Sequence, residues 1–136
     1  MVNILVITHG DFGAYLVEAA EGIVGPQGDG VQSVGISARV GLPEARSRIA
    51  HAVEELSSGN GLVVATDMPG GTPSNIAMPL ARGDNKIAVV SGVNLYMLIA
   101  AFNNRTATDP ERLAETMVAA GRRSISDIKS ALAARA

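Results

Sequence analysis

The apolar residues of this chain form short runs rich in Val and Ile, which alternate with longer stretches of helical periodicity. Four runs lie between turn-forming residues and are predicted strands: Val2–Thr8, Val31–Ile36, Leu62–Thr66 and Ile87–Ser91. Runs of this length are typical of strands buried on both faces of a parallel sheet. Val31–Ile36 is the weakest of the four, and we expect it at an edge.

Helical patterns lie between and after these runs. The first helix has one apolar face, formed by Phe12, Leu16, Ala19 and Ile23. The second has apolar residues three or four positions apart, at Leu42, Ala45, Ile49, Val53 and Leu56. A third helix is predicted to begin with Thr72 as N-cap and Pro73 in its first position, and a fourth follows Asn94.

A final helix is predicted over about 109–134, beginning at Asp109-Pro110. Its apolar residues are Leu113, Met117, Gly121, Ile125, Ile128 and Leu132. Four strand–helix units and an extra helix indicate an α/β fold, with a mostly parallel four-stranded central sheet and helices on both faces. A chain of 136 residues is the length of one domain, so we expect a single domain over residues 1–136.

Composition excludes several classes of function. Eleven basic and 13 acidic residues give a net charge of −2, which argues against nucleic-acid binding. The chain has no Cys, which excludes thiolate chemistry, and its two His make a multi-His metal site improbable. The chain also lacks the glycine-rich motifs that bind nucleotides. We therefore expect neither a cofactor nor a metal ion. Without a signal peptide or a sufficiently long apolar stretch, we expect a cytoplasmic protein.

Residues whose side chains could take part in catalysis follow the first and third predicted strands. His9-Gly10 follows the first strand, and Asp67 follows the third, ahead of Gly70-Gly71. These strands are commonly neighbours in doubly wound sheets, which places His9 and Asp67 in one crevice. A carboxylate that accepts from one ring nitrogen leaves the other with a free lone pair. With the backbone N–H groups at a helix N-terminus, these are the parts needed for phosphoryl transfer onto histidine.

Each of these residues also has a purely structural interpretation. A lone His at a strand end is often hydrogen-bonded to a backbone carbonyl, and Asp67 fits a cap or loop residue equally well. The Gly70-Gly71 pair fits a tight turn, and Asp11 fits the N-cap of the first helix. The second histidine, His51, lies in a helical pattern among charged and small residues and is expected to be exposed.

Three motifs together resemble the enzyme IIA domain of the mannose-type sugar phosphotransferase system. They are Thr8-His9-Gly10, Asp67 followed by Gly70-Gly71-Thr72-Pro73-x-Asn75, and Ser91-Gly92-Val93-Asn94. The resemblance implies a phosphocarrier whose His9 accepts a phosphoryl group at Nε2 (the tele position) from the carrier protein HPr. His9 then passes it to a IIB component, which phosphorylates a sugar at the membrane permease. Asp67 matches the carboxylate that orients His9. From the Gly-rich turn at the helix N-terminus, we expect Gly70, Gly71 and Thr72 to bind the phosphoryl group.

The resemblance also implies a homodimer that exchanges an antiparallel edge strand. Because the sequence ends at Ala136, we expect the IIB component to be a separate chain, with the permease only an indirect partner. Met68-Pro69 stands where the family often has a polar or bulky pair. We expect Met68, Pro69 and Phe12 to form part of the docking surface for HPr and the next acceptor. The alternative is that Met68 packs inward and Pro69 shapes the turn.

Other functions fit the same residues. One is a regulatory protein of an incomplete phosphotransferase system, whose phosphorylation state a partner reads. Another is the related carrier that serves a dihydroxyacetone kinase. A third is an α/β protein that binds a small ligand without phosphoryl chemistry. The sequence does not indicate which sugar is transported.

Overall fold

The computed structural model describes residues 1–83 and 86–135. Its sheet has four parallel strands, which are β1 (Asn3–His9), β2 (Val31–Ile36), β3 (Leu62–Thr66) and β4 (Ile87–Val90). The order across the sheet is β2-β1-β3-β4, so the two central strands are β1 and β3. The predicted strands and the edge position of β2 are confirmed.

In the described part of the chain, six α-helices connect and follow these strands: α1 (Phe12–Val24), α2 (Leu42–Leu56), α3 (Gly71–Gly83), α4 (Leu95–Asn104), α5 (Pro110–Arg123) and α6 (Ile128–Arg135). Asn94 and Asp109 cap α4 and α5, because their side chains accept from the backbone N–H groups of Met97 and Arg112 at 3.1 and 2.9 Å. The third helix begins at Gly71, before the predicted N-cap Thr72.

The sheet separates two apolar cores, so helices cover both faces as predicted. On one face, α1, α4 and α5 pack against the strands through residues that include Ile4, Val6, Val63, Leu98 and Met117. On the other face, α2 and α3 pack against Leu5, Ile7 and Val64. Side chains of a strand alternate between faces, so the nearly continuous apolar runs fill both cores.

The predicted apolar face of α1 is wrong at three of its four residues. Phe12, Ala19 and Ile23 are exposed, and the residues that α1 buries are Gly13 and Ala20. Small residues let the helix lie very close to β1: a Cβ added to Gly13 would lie 2.8 Å from Oγ1 of Thr8. Phe12 and Ile23 therefore point outward, whereas Leu16 is partly buried and packs against the core as predicted. In α2, Leu42 is likewise exposed, whereas Ala45, Ile49 and Leu56 are buried.

The predicted C-terminal helix over about 109–134 is two helices, α5 and α6. Ser124 ends α5, since its hydroxyl donates to the Gly121 carbonyl at 2.6 Å. Leu113, Met117 and Gly121 are buried as expected, whereas the last three apolar residues, Ile125, Ile128 and Leu132, are exposed. The bend after Arg123 takes them off the sheet, so a continuous apolar spacing does not give one continuous buried face.

Within residues 1–83 and 86–135 the sheet has no fifth strand, so strand exchange in a dimer stays a prediction. The outer edge of β4 carries no partner strand among these residues. In the same part of the chain, no helix combines the length and the apolar character needed to cross a membrane.

Candidate active site at the carboxyl ends of β1 and β3

Strand register brings His9 and Asp67 together. Ile7 of β1 pairs with Thr66 of β3, so the residues that follow emerge at the same edge of the sheet. The backbone N–H of His9 donates to Oδ2 of Asp67 at 2.9 Å, and ring Nδ1 lies 2.7 Å from the same oxygen. The crevice expected between the first and third strands therefore exists, with both residues in it.

The two side chains differ in exposure. The Asp67 side chain is 10% exposed, whereas the His9 side chain is 48% exposed. Burial raises the pKa of the Asp67 carboxyl, but the hydrogen bonds and charge of His9 outweigh it, and the net pKa lies below its usual range. An ionised carboxylate only accepts hydrogen bonds, so in the neutral imidazole the proton lies on Nδ1 and the lone pair on Nε2.

The second carboxylate oxygen of Asp67 is less well satisfied. Oδ1 is buried and accepts no hydrogen bond from the described residues. Both hydrogen bonds from His9 converge on Oδ2 instead, which concentrates the interaction on one oxygen. The carboxylate thus holds the backbone and the ring of His9 at the same point.

The Gly70-Gly71 turn lies against the other side of the His9 ring. Both residues have φ of +79°, the left-handed region that favours glycine. A Cβ added to Gly71 would lie 3.1 Å from Cε1 and 3.3 Å from Nε2 of His9. Because Gly71 is the first residue of α3, the Nε2 edge of the ring faces the positive end of that helix. Thr72, in the first turn of α3, is half-buried.

A buried hydroxyl holds the turn that follows His9. Thr8 Oγ1 donates to the Gly10 carbonyl at 2.9 Å and accepts from the Gly13 N–H at 3.1 Å. Asp11 occupies the predicted N-cap position of α1, but its side chain makes no capping hydrogen bond there. The sequence motif Thr8-His9-Gly10 includes this threonine, but its spacing gave no indication of the two contacts that the hydroxyl makes.

The remaining candidate residues are on the surface. Phe12, Met68 and Pro69 are exposed, so the alternative in which Met68 packs inward is wrong. His51 is exposed as expected and lies 3.0 Å from Oε1 of Glu55 through its Nε2. In the part of the chain that the structure describes, no three His, Cys, Asp or Glu side chains form a cluster able to hold a metal ion.

A family model described as "PTS system fructose IIA component" matches residues 3–118, most of the chain. The chain belongs to this family. A curated relative, the fructose-specific EIIA component of Bacillus subtilis (strain 168), is 25% identical over 105 residues, 77% of this chain and 71% of the relative.

Solved structures of IIA proteins have the same fold. The phosphotransferase component EIIA of Streptococcus agalactiae superposes with a TM-score of 0.85 at 28% identity, covering 96% of this chain and 99% of the other. The mannose/sorbose-specific IIA subunit of Enterococcus faecalis gives 0.83 at 27% identity, covering 93% of each chain. The resemblance to the mannose-type IIA family is confirmed, and with it a phosphotransfer role in a sugar phosphotransferase system. The Bacillus subtilis relative is named for fructose and the Enterococcus faecalis subunit for mannose and sorbose.

Proposed function

We propose that this IIA protein is a cytoplasmic phosphocarrier that takes a phosphoryl group from HPr onto Nε2 of His9 and passes it to a IIB component. The observation that carries the proposal is the 2.7 Å contact between His9 Nδ1 and Asp67 Oδ2. This contact commits one ring nitrogen to the carboxylate. The other nitrogen is a nucleophile on a half-exposed side chain beside the first turn of α3.

The two histidine rings account for every bond that is made and broken in the transfer. The Nε2 lone pair attacks the phosphorus of the donor phosphohistidine, and a new N–P bond forms as the donor's N–P bond breaks. The bonding electrons return to the donor ring. The proton on Nδ1 stays in place, so the phosphorylated His9 ring carries a positive charge that Asp67 balances at 2.7 Å. Transfer to the acceptor reverses the sequence, and the electron pair returns to Nε2.

The phosphoryl oxygens need hydrogen-bond donors in the new position. The first turn of a helix has N–H groups without intrahelical acceptors, and α3 begins at Gly71 against the Nε2 edge. We assign the backbone of Gly70 and Gly71, together with Thr72, to hold these oxygens. The positive end of α3 stabilises the negative charge on the group in both transfer directions.

The surface around His9 supports docking of partner proteins. Phe12 lies three residues after His9, and Met68-Pro69 directly follows Asp67; all three side chains are exposed. Transient interfaces place apolar contacts at the centre and charges around them. We propose that HPr and the IIB component use this surface in turn, because both need the same Nε2 atom.

We further propose that the protein is a homodimer closed at β4. The outer edge of β4 borders a groove of about 630 Å³, lined by Ile87–Val90 and by Ala114 and Val118 of α5. Helix α6 buries none of its residues in a single copy, although Ile128 and Leu132 lie on it. A second copy whose C-terminal segment covers the groove would bury both the open edge of β4 and the exposed apolar side chains of α6.

Phosphate labelling tests the central proposal. Radiolabelled phosphoenolpyruvate is added with the general phosphotransferase proteins to wild type, His9→Ala and His51→Ala, the last being a matched control at the exposed histidine. We expect acid-labile, base-stable label on wild type and His51→Ala, and none on His9→Ala. Label retained by His9→Ala, or mapped to Asp67, contradicts the proposal. A protein that only binds a small ligand takes no label in any form.

A further inference from the structure

Two threonines occupy equivalent positions, each buried at a strand end and directly before a residue of the candidate site. Thr8 precedes His9 on β1 and is 1% exposed, and Thr66 precedes Asp67 on β3 and is fully buried. Their hydroxyls have different partners. Thr8 bonds to the turn after His9 and to α1, whereas the Thr66 hydroxyl lies 3.5 Å from the carbonyl of Val90 on β4.

The Thr8 hydroxyl makes two hydrogen bonds, as donor to the Gly10 carbonyl and as acceptor from the Gly13 N–H. Gly13 is the second residue of α1, whose N-cap residue Asp11 makes no side-chain capping bond. The hydroxyl therefore does for α1 what an N-cap side chain usually does. It also joins the start of this helix to the turn that carries His9.

The turn needs such a contact because Gly10 has little intrinsic preference for its conformation. Its φ is +63°, and a glycine has no Cβ to confine it there. Hydrogen bonds must fix the turn instead. The His9 N–H is held by Asp67 on β3, the Gly10 N–H by the Ile36 carbonyl on β2 at 2.8 Å, and the Gly10 carbonyl by Thr8.

We propose that Thr8 is a positioning residue for His9, and that its hydroxyl fixes the turn that aims Nε2. The proposal rests on the proposed function of His9 as phosphoryl acceptor. Successive side chains of a strand point to opposite faces, so Thr8 lies against α1 while the His9 ring lies against Gly71 of α3. Thr8 thus acts on the ring only through the backbone, and it does not touch the phosphoryl group.

The test compares Thr8→Val, which keeps the shape but removes the hydroxyl, with Thr8→Ser, which keeps the hydroxyl. Thr66→Val is the matched control at the other buried threonine. Small misplacements of reacting groups cost up to about 100-fold in rate, so we expect kcat for transfer from phospho-HPr to fall about 10-fold in Thr8→Val. KM should stay near the wild-type value, because Thr8 is buried and does not itself contact HPr. Thr8→Ser and Thr66→Val should keep the wild-type kcat.

A kcat of Thr8→Val equal to wild type would overturn the proposal. So would an equal loss in Thr66→Val, because general loosening of the sheet would then explain both. If Thr8→Val does not fold, Gly13→Ala replaces it. The added Cβ would lie 2.8 Å from Oγ1 and displaces the hydroxyl from its two partners. Wild-type kcat in folded Gly13→Ala would then reject the role of Thr8.

A readout without phosphoryl transfer separates this proposal from the proposed function. The His9 Nδ1 proton, hydrogen-bonded to Asp67, is followed by NMR of the unphosphorylated protein. We expect its exchange with water to be faster in Thr8→Val and unchanged in Thr66→Val. If wild type accepts no phosphoryl group but this pattern is seen, the proposed function fails while the positioning contact stands. If labelling succeeds and exchange is the same in all variants, the positioning role is wrong.

Discussion

Oδ2 of Asp67 accepts from His9 twice, from the backbone N–H at 2.9 Å and from ring Nδ1 at 2.7 Å. A single oxygen therefore fixes both where the histidine stands and which ring nitrogen holds the proton. Replacing the Asp67 carboxylate should change both the orientation of the His9 ring and the charge beside it. After His9 itself, Asp67 is therefore the position whose substitution best tests the proposed transfer.

Asp67→Asn should keep the fold and lower the transfer rate. The amide removes the negative charge that balances the phosphorylated ring and no longer selects the tautomer. Positioned acid–base groups are worth about 10²–10⁴ in rate, so we expect a loss in that range. Transfer from phospho-HPr is measured in both directions by rapid quench. Glu55→Gln is the control, because it changes the other His–carboxylate pair, at 3.0 Å from His51. Equal rates for Asp67→Asn and wild type would reduce Asp67 to a structural residue.

Stability should depend on pH through Asp67 in a defined direction. Its folded pKa lies below the usual value of about 3.9, so the unfolded chain binds the proton more readily. The carboxylate therefore stabilises the fold above about pH 5, and this contribution is lost as the pH falls through the folded pKa. Urea unfolding of wild type and Asp67→Asn should differ most near neutral pH and converge in acid. A difference that grows in acid would show that the sign is wrong.

The glycine pair allows a matched comparison. Gly70 and Gly71 share a φ of +79°, so an alanine at either position meets a similar backbone strain of about 1–2 kcal/mol. A Cβ at residue 70 meets nothing within 4 Å, whereas one at residue 71 lies 3.3 Å from Nε2 of His9. We expect Gly70→Ala and Gly71→Ala to lose similar stability in urea unfolding, and only Gly71→Ala to lose most of its phosphotransfer. Equal transfer by the two variants would mean that the Nε2 edge is not where the group is received.

Docking is tested at two methionines of equal exposure. Met68 is 50% exposed beside Asp67, and Met78 is 51% exposed two helical turns along α3. An added carboxylate at the interface centre should raise KM for phospho-HPr about 10-fold in Met68→Asp. Met78→Asp should leave KM unchanged, and thermal unfolding should be alike for both variants. The docking role of Met68 is rejected if KM stays at the wild-type value, or if both variants raise it equally.

The proposed dimer is tested at α6. Ile128 and Leu132 are exposed in the single copy, so changing both to Ser costs little in a monomer and removes apolar contact area in a dimer. We expect wild type to have the mass of a dimer by light scattering at micromolar concentration, and the double variant to shift toward monomer. Ile23→Ser on α1 is the control, as another exposed isoleucine. A monomeric wild type contradicts the proposal.

The features that could be predicted from sequence are those with a strong local signal. Buried parallel strands are short apolar runs, so β1 and β3 were predictable, and their neighbouring positions brought His9 and Asp67 together. The caps Asn94 and Asp109 were visible because each stands before an apolar or Pro-initiated helix. These signals depend on a few adjacent residues and do not require knowledge of packing.

The features that were missed depend on packing between distant elements. The buried face of α1 is set by how closely the helix approaches β1, and Gly13 rather than Phe12 makes that approach. The bend at Ser124 interrupts an apolar spacing that continues unchanged through it. The role of Thr8 arises from two contacts of one hydroxyl, which no spacing of residues reveals.

The strand order β2-β1-β3-β4 places His9 and Asp67 on the inner pair, with one further strand on each side. Two strands, β4 itself and β3, lie between the outer edge of β4 and the imidazole of His9 on β1. A partner subunit packed at that edge, as in the proposed dimer, would therefore not contact the imidazole. Each subunit of the proposed dimer would have its own His9 open to HPr. Substitutions along the outer edge of β4 would change the oligomeric state without changing the residues that position His9.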